Sequence, residues 1–506
     1  RGMILDRNGE PLAISTPVES VWVQPKEMQL DAPEWKELCR LLDLNTLKTK
    51  QSLASKSNKD FVYLKRQIPP YLAEKVMHLK LAGVYLQQEY RRYYPMGEVA
   101  AHVVGATNID QQGIEGLELS FNDDLSGKSG EKTVIKDRLG RQIQGLDKPK
   151  ESIPGKDIQL SVDARLQYLA YKELLNAVNQ NKAKSGSIVV LDAETFEVLA
   201  MANVPSYNPN LIEKPLDGSL RNRAVTDQME PGSVIKPLSL IPVLASGQYF
   251  PDTPVNTSPG WIRVNHKVVR DVVNFGQLDV GRVIEKSSNV GITKLVLSLP
   301  PKALYNTLSD LGFGERTSSG FPGEVAGQIQ PGGLTNPFAL ATLAFGYGIS
   351  ATPLQIADAY ATIASLGVKR PISFLKGSDT EPGQRIYPNS IAQAITKMLV
   401  NATSRTGTAY RASVPGYLVA GKTGTARKVG KEGYDKDSHL ALFAGFAPAY
   451  NPKVVMAVVI NEPQGDKYYG GQIAAPVFSK VMQGALRLMR VAPFGDVNLE
   501  LTLVKN

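Results

Sequence analysis

Glu230-Pro231-Gly232-Ser233-Val234-Ile235-Lys236-Pro237-Leu238, continuing through the apolar run to Leu244, sets a serine, a lysine and a proline at the mouth of one helix. Proline has no N–H to donate and is tolerated in a first turn, so Pro237 requires a helix that begins close to Ser233. The serine hydroxyl then lies near the positive helix end, beside backbone N–H groups without an intrahelical partner. Lys236, three residues on, falls on the same face. A serine becomes a nucleophile when a neighbouring base takes its proton. Two further copies of Ser-x-x-Lys lack this setting. Ser129-Gly130-Glu131-Lys132 lies in a Gly-rich turn, and Ser373-Phe374-Leu375-Lys376 runs into a loop rich in Gly, Ser, Asp and Pro.

Two other short stretches carry chemistry. Ser287-Ser288-Asn289 reads as a polar turn between Val283–Lys286 and Val290-Gly291-Ile292, although Ser-x-Asn recurs at Ser120 and Ser206. Lys422-Thr423-Gly424-Thr425 closes the apolar stretch Tyr417–Ala420, so it reads as the edge of a strand whose glycine lets a ligand approach the backbone. Its near copy, Arg405-Thr406-Gly407-Thr408, follows the helical run Ile391–Ala402 and reads as a helix C-terminal turn. Gly416–Thr423 also satisfies the phosphate-loop pattern G-x-x-x-x-G-K-[ST]. Such a loop needs a strand before its first glycine and a helix after its lysine. Here strand-forming residues occupy the loop itself, and Gly424 and Gly430 argue against a following helix, so nucleotide chemistry is rejected.

Outward from these stretches, Ala164–Val178 predicts a helix, Ile188–Leu191 and Phe196–Met201 a β-hairpin, and Tyr417–Thr425, Leu442–Phe446 and Val454–Ile460 three more strands. Ala475–Arg490 predicts a closing helix, and a long, mainly helical insert separates the first two strands from the last three. That order implies an antiparallel sheet completed late, an α+β plan with five strands. Ile158–Val162 is expected to open this part of the chain. The section before it is mixed, with a strand over Val18–Val23 and helices around Trp35 and over Tyr71–Lys80. Pro154-Gly155 marks the change of texture, giving expected units 1–155, 156–490 and a tail 491–506 in which Val497–Leu503 alternates like a strand.

With 506 residues, 42% hydrophobic and 21% charged, the chain is an ordinary globular protein of more than one domain. It holds no apolar run of the roughly 18 residues that a membrane-spanning helix needs; because it opens on Arg1, an upstream segment, such as a membrane anchor, is expected to have been removed. The net charge of +9 is spread along the chain with no basic, aromatic-interleaved face, which disfavours nucleic acid. Cys39 repeats with Trp35, Leu38 and Leu42 at helical spacing and reads as a small core residue. The four histidines are scattered, so no metal site and no cofactor are expected.

The order Ser233, Ser287, Lys422 resembles the motif set of the penicillin-binding proteins. Longer strings sharpen the likeness. Arg1-Gly2-Met3-Ile4-Leu5-Asp6-Arg7-Asn8-Gly9 resembles the opening of the class B members, and Arg92-Tyr93-Tyr94-Pro95 and Gly113-Ile114-Glu115-Gly116-Leu117-Glu118 resemble motifs of their non-catalytic pedestal. Ala420–Lys428 and Phe443-Ala444-Gly445-Phe446-Ala447-Pro448 are similar to the division-specific branch, the penicillin-binding protein three group. Val234 departs from that branch, which usually has threonine; on a helix it points away from the Ser–Lys pair.

The resemblance implies a pedestal followed by a transpeptidase domain with a five-stranded antiparallel sheet and a largely helical subdomain. It implies a serine D,D-transpeptidase of the septal machinery acting on stem peptides ending in D-Ala-D-Ala, acylated by β-lactams at the same serine. Ser233 would be the nucleophile and Lys236 the base, its pKa lowered by Lys422. Ser287 would relay the proton, and Asn289 would bind the peptide amide. Lys422, Thr423 and Thr425 would bind the terminal carboxylate beside Gly424. Backbone N–H groups of Ser233 and Thr425 would form the oxyanion hole. Tyr347 and Tyr469 are candidate pocket walls. The family also implies an inner-membrane protein facing the periplasm, with a partner glycosyltransferase among its division partners. A D,D-carboxypeptidase or β-lactamase would use the same three motifs. A non-catalytic scaffold would have no need of them together.

Overall fold

A computed structural model describes residues 1–128, 130, 134–136, 142–145, 151–211, 218–377, 382–430, 433–465 and 467–493. Ser129, Glu131 and Lys132 of one Ser-x-x-Lys copy, and the strand expected at Val497–Leu503, lie outside them.

The sheet that carries the site has five antiparallel strands in the order Val198–Val204, Ser185–Asp192, Val454–Asn461, Gly433–Ala447, Ala420–Gly430. Its second strand, Ser185–Asp192, is buried at every position but the last. A strand covered on both faces reads as an unbroken apolar run, which is how Ile188–Leu191 stands out in the sequence. Ile188 and Val190 face helices Ala164–Gln180 and Gly470–Leu488, whereas Val189 and Leu191 join the core that includes helix Pro353–Ala364. That last helix is buried along its whole length. The expected α+β plan of strands, helical insert and late strands is the one observed.

Several boundaries differ from expectation: Val18–Val23 extends to Pro11–Val23, Leu442–Phe446 to Gly433–Ala447, Phe196–Met201 shifts to Val198–Val204, and three further differences change the architecture. The edge strand begins at Ala420, so Tyr417–Val419 lie outside it; Val414 and Tyr417 bridge each other in a turn instead. The closing helix begins at Gly470, not Ala475, and contains Pro476. Ile158–Gln159 does not open this sheet: it pairs in parallel with Ile4–Leu5 of the first sheet, and Leu160 then bridges Leu375, so the chain passes here from one unit to the other.

The first sheet is built on the long strand Pro11–Val23, which pairs with Val62–Ile68, Val84–Tyr93 and Ile4–Leu5. Helices Pro33–Leu41 and Pro70–His78 cover it, and Trp35, Leu38, Cys39 and Leu42 are all buried there, as their spacing predicts. Burial pushes the Cys39 thiol pKa up. The three pedestal-like strings meet at one buried carboxylate. Glu118 accepts from Arg1 Nε at 2.7 Å and from Arg92 Nε at 2.6 Å. Asp6 joins the two units, accepting from the N–H of Ala164 at 3.1 Å at the start of helix Ala164–Gln180.

Candidate active site

Ser233 sits in a 3-10 turn, Gly232–Ile235, that runs straight into helix Lys236–Ala245 with Pro237 in its first turn. Gly232 has a φ of 56°, in the left-handed region that favours glycine. Its turn lies against the edge strand: a methyl group at Gly232 would stand 3.2 Å from the Thr425 carbonyl oxygen. The N–H and C=O of one strand residue leave on the same side, so the Thr425 N–H also faces the serine turn. Val234 is buried, with its side chain turned from the cleft towards Gly424.

Lys236 is fully buried, and its ammonium donates to the backbone carbonyl of Ser287 and, at 3.1 Å, to Ser287 Oγ. Ser287 has a φ of 58°, an uncommon conformation for a residue with a side chain. Ser288 caps helix Asn289–Leu297, accepting from the Gly291 N–H at 2.8 Å. Asn289 Nδ2 donates to the Arg270 carbonyl at 3.1 Å. Lys422, also fully buried, donates to the Thr423 carbonyl at 3.1 Å. Thr425 Oγ1 accepts from the Gly470 N–H at 3.1 Å.

Burial disfavours the charged form of both lysines. It pulls the Lys422 amine down to about 7. It pulls Lys236 well below the ordinary lysine range; repulsion from Lys422 adds to this, and Asp271 opposes it. Two amines that release protons this readily, one of them on the helix that Ser233 leads into, suit acyl transfer.

The three stretches meet at one cleft of about 470 Å³, whose lining includes Ser233, Ser287, Asn289, Thr423, Thr425 and Tyr469. Four candidates are outside this lining: Lys236 and Lys422, which are fully buried, and two that are placed otherwise. Tyr347 is not in this lining; it is half-buried, its ring set edge-on to Phe345 at 5.7 Å. Gly424 is also absent from the lining, because a Cβ there would meet Val234 Cγ1 at 2.9 Å and the Pro231 carbonyl at 3.0 Å. Its missing side chain makes room for the serine turn, not for a ligand. Asp271, Thr408 and Arg411 line the cleft and escaped the sequence analysis. Only Thr408 had a signal, as the last residue of the Arg-Thr-Gly-Thr near copy.

The penicillin binding protein transpeptidase domain model matches residues 186–483, more than half of the chain. The chain belongs to that family. The penicillin-binding protein dimerisation domain model matches residues 1–160. The peptidoglycan D,D-transpeptidase FtsI of Escherichia coli is 44% identical over 97% of this chain and 84% of its own length. The probable peptidoglycan D,D-transpeptidase PbpC of Pseudomonas aeruginosa is 40% identical over 97% of this chain and 87% of its own. Among solved structures, the transpeptidase domain of Burkholderia pseudomallei penicillin-binding protein 3 superposes with a TM-score of 0.61 at 38% identity, covering 66% of this chain and 97% of that one. A peptidoglycan synthetase from Bifidobacterium adolescentis shares the fold over 98% of this chain and 96% of its own, with a TM-score of 0.77 at 24% identity.

Proposed function

We propose that this chain is a peptidoglycan D,D-transpeptidase that works through an acyl-Ser233 ester. The observation that carries the reading is the convergence of Ser233, the Ser287–Asn289 turn and the Lys422–Thr425 strand on one cleft, with two buried lysines beneath it.

Ser233 Oγ attacks the penultimate D-alanine carbonyl of a stem peptide, and its proton passes to neutral Lys236. The tetrahedral oxyanion is held by the N–H groups of Ser233 and Thr425, and one such donor contributes on the order of 3 kcal/mol. The C–N bond to the terminal D-alanine then breaks, and Ser287 relays the proton to the leaving amine. Asn289 binds a peptide amide of the donor, and Lys422 with Thr423 and Thr425 binds its terminal carboxylate. An amine of a second stem peptide attacks the ester and gives up a proton, which restores the Ser233 hydroxyl. A β-lactam opens on the same oxygen and leaves an ester with no ready acceptor. Tyr469, at the cleft mouth, is a wall for either ligand.

Residues 1–155 are taken as the pedestal and 156–490 as the catalytic domain. Among the described residues no helix is long and apolar enough to cross a membrane. The relatives' names support work on peptidoglycan, and a periplasmic location is the reading that agrees with it. A septal role, with a glycosyltransferase and other division proteins as partners, is the finer form of the reading.

Fluorescent penicillin labelling of the wild-type chain and of Ser233→Ala tests it. Labelling and D-alanine release should both vanish in the variant. Supplied with an acceptor amine, the wild type should yield cross-linked product in preference to hydrolysed donor. Retained labelling in Ser233→Ala rejects the mechanism, and hydrolysis alone favours a carboxypeptidase.

A further inference from the structure

Among the described residues, Asp271 is the one acidic side chain lining the cleft. It follows strand Lys267–Arg270, which pairs with Trp261–Val264 in a hairpin set apart from the main sheet. Both carboxylate oxygens are committed to the turn that carries Ser287 and Asn289. Oδ2 accepts the Ser288 hydroxyl at 2.6 Å, and Oδ1 accepts the N–H groups of Asn289 and, at 3.0 Å, Val290. Ser288 Oγ takes the next N–H, that of Gly291. The first three N–H groups of helix Asn289–Leu297, which a helix cannot satisfy internally, are thereby all bound. The adjacent Arg270 carbonyl takes the Asn289 side chain.

This holding has work to do. Ser287 keeps a left-handed φ of 58°, and such a conformation persists only where its surroundings over-determine it. Lys236 grips the turn from one side through the Ser287 carbonyl and hydroxyl; Asp271 grips it from the other.

We propose that Asp271 is a positioning residue of the site, clamping the Ser287–Asn289 turn so that Ser287 Oγ stays on Lys236 Nζ and the Asn289 side chain stays at the cleft. The proposal rests on the transpeptidase reading for the roles of those three residues. The clamp also carries charge. The charged groups whose fields reach Lys236 are Lys422, from the edge strand, and Asp271, from the hairpin, with opposite signs. Loss of the Asp271 charge therefore favours neutral Lys236 and moves its titration to lower pH.

The test compares the wild-type chain with Asp271→Asn. Expected are a fall of roughly tenfold or more in the rate constant for acylation by fluorescent penicillin, as for a misplaced catalytic group, and an acid limb of the pH–rate profile moved to lower pH. Asp271→Glu, which restores the charge on a longer arm, should bring the limb back. Side-chain NMR of isotope-labelled lysine should show Lys236 titrating at lower pH in Asp271→Asn. Should Asp271→Asn not fold, Ser288→Ala removes the Oδ2 partner and leaves the charge; it should lower the rate with the limb unmoved. A wild-type rate in either variant overturns the clamp, and so does a rate loss in Asp271→Asn with an unmoved limb and an unmoved Lys236 titration. If the wild-type chain takes up no penicillin, the transpeptidase reading fails by itself, while the Lys236 titration still decides Asp271.

Discussion

Lys422 is a lysine with no solvent around it and no carboxylate in its hydrogen bonds: its ammonium meets the carbonyl of Thr423. Holding such a group destabilises the fold, and the sign follows from linkage. The folded amine titrates at about 7, below the 10.5 of a free lysine, so the unfolded chain binds the proton more tightly. The penalty is fully present below about 7 and vanishes as pH rises towards 10.5. Lys422→Met should therefore raise the melting temperature at pH 7, by an increment that shrinks in scans at higher pH. On the proposed mechanism the same substitution removes a charged partner of the substrate carboxylate, worth roughly 10- to 100-fold in the acylation rate constant. In the wild type that rate should fall on the alkaline side of about 7, as Lys422 loses its charge, and this limb should be absent from the variant. Stability gained and activity lost together would mark Lys422 as a residue kept for chemistry. A melting point that falls at pH 7 would count against that account.

The edge strand Ala420–Gly430 and the serine turn behave as one element, because Gly424 lets them touch. Alanine at that position has no room beside Val234 and Pro231, and Leu442 Cβ closes a third side at 3.3 Å. Gly424→Ala should push the strand away from Ser233. The acylation rate should fall up to about a hundredfold, the scale of a 1 Å misplacement, in a protein that still unfolds cooperatively; an unchanged rate would show that the contact is slack. Here the limits of the sequence are physical. Lys-Thr-Gly-Thr was visible as a rare string, but the apolar run before it misplaced its strand, which begins only at Ala420 and is half-buried at Thr423 and Thr425. What Gly424 faces was not visible, because that neighbour arrives from Pro231 and Val234, a contact fixed only by tertiary packing. Asp271 was hidden for the same reason. A carboxylate that caps a helix from a neighbouring hairpin leaves no periodicity and no motif, whereas Ser288, which caps from within its own segment, lies inside one. Ile158–Gln159 misled because two residues of strand cannot say which sheet they join.

At the scale of the whole molecule, the two sheets are joined near the start of helix Ala164–Gln180, where Asp6 of the opening segment accepts the Ala164 N–H and Asn8 Nδ2 donates to Asp163 at 3.2 Å. The first unit has its own fastening in the Arg1–Glu118–Arg92 cluster, whose side chains are 2% exposed or less. A buried ion pair stabilises little against an apolar substitute, yet removing one member strands the others, with a penalty of about 3–5 kcal/mol. Glu118→Ala strands two guanidinium groups and leaves every residue of the cleft in place. For a unit of this size that penalty lowers the melting temperature by on the order of 10 °C. Calorimetry should then resolve an early transition for the first unit, while penicillin acylation below that transition keeps the wild-type rate. If acylation falls at temperatures where the first unit is still folded, strain in the pedestal reaches Ser233 through the Asp6 joint, and the two units act as one.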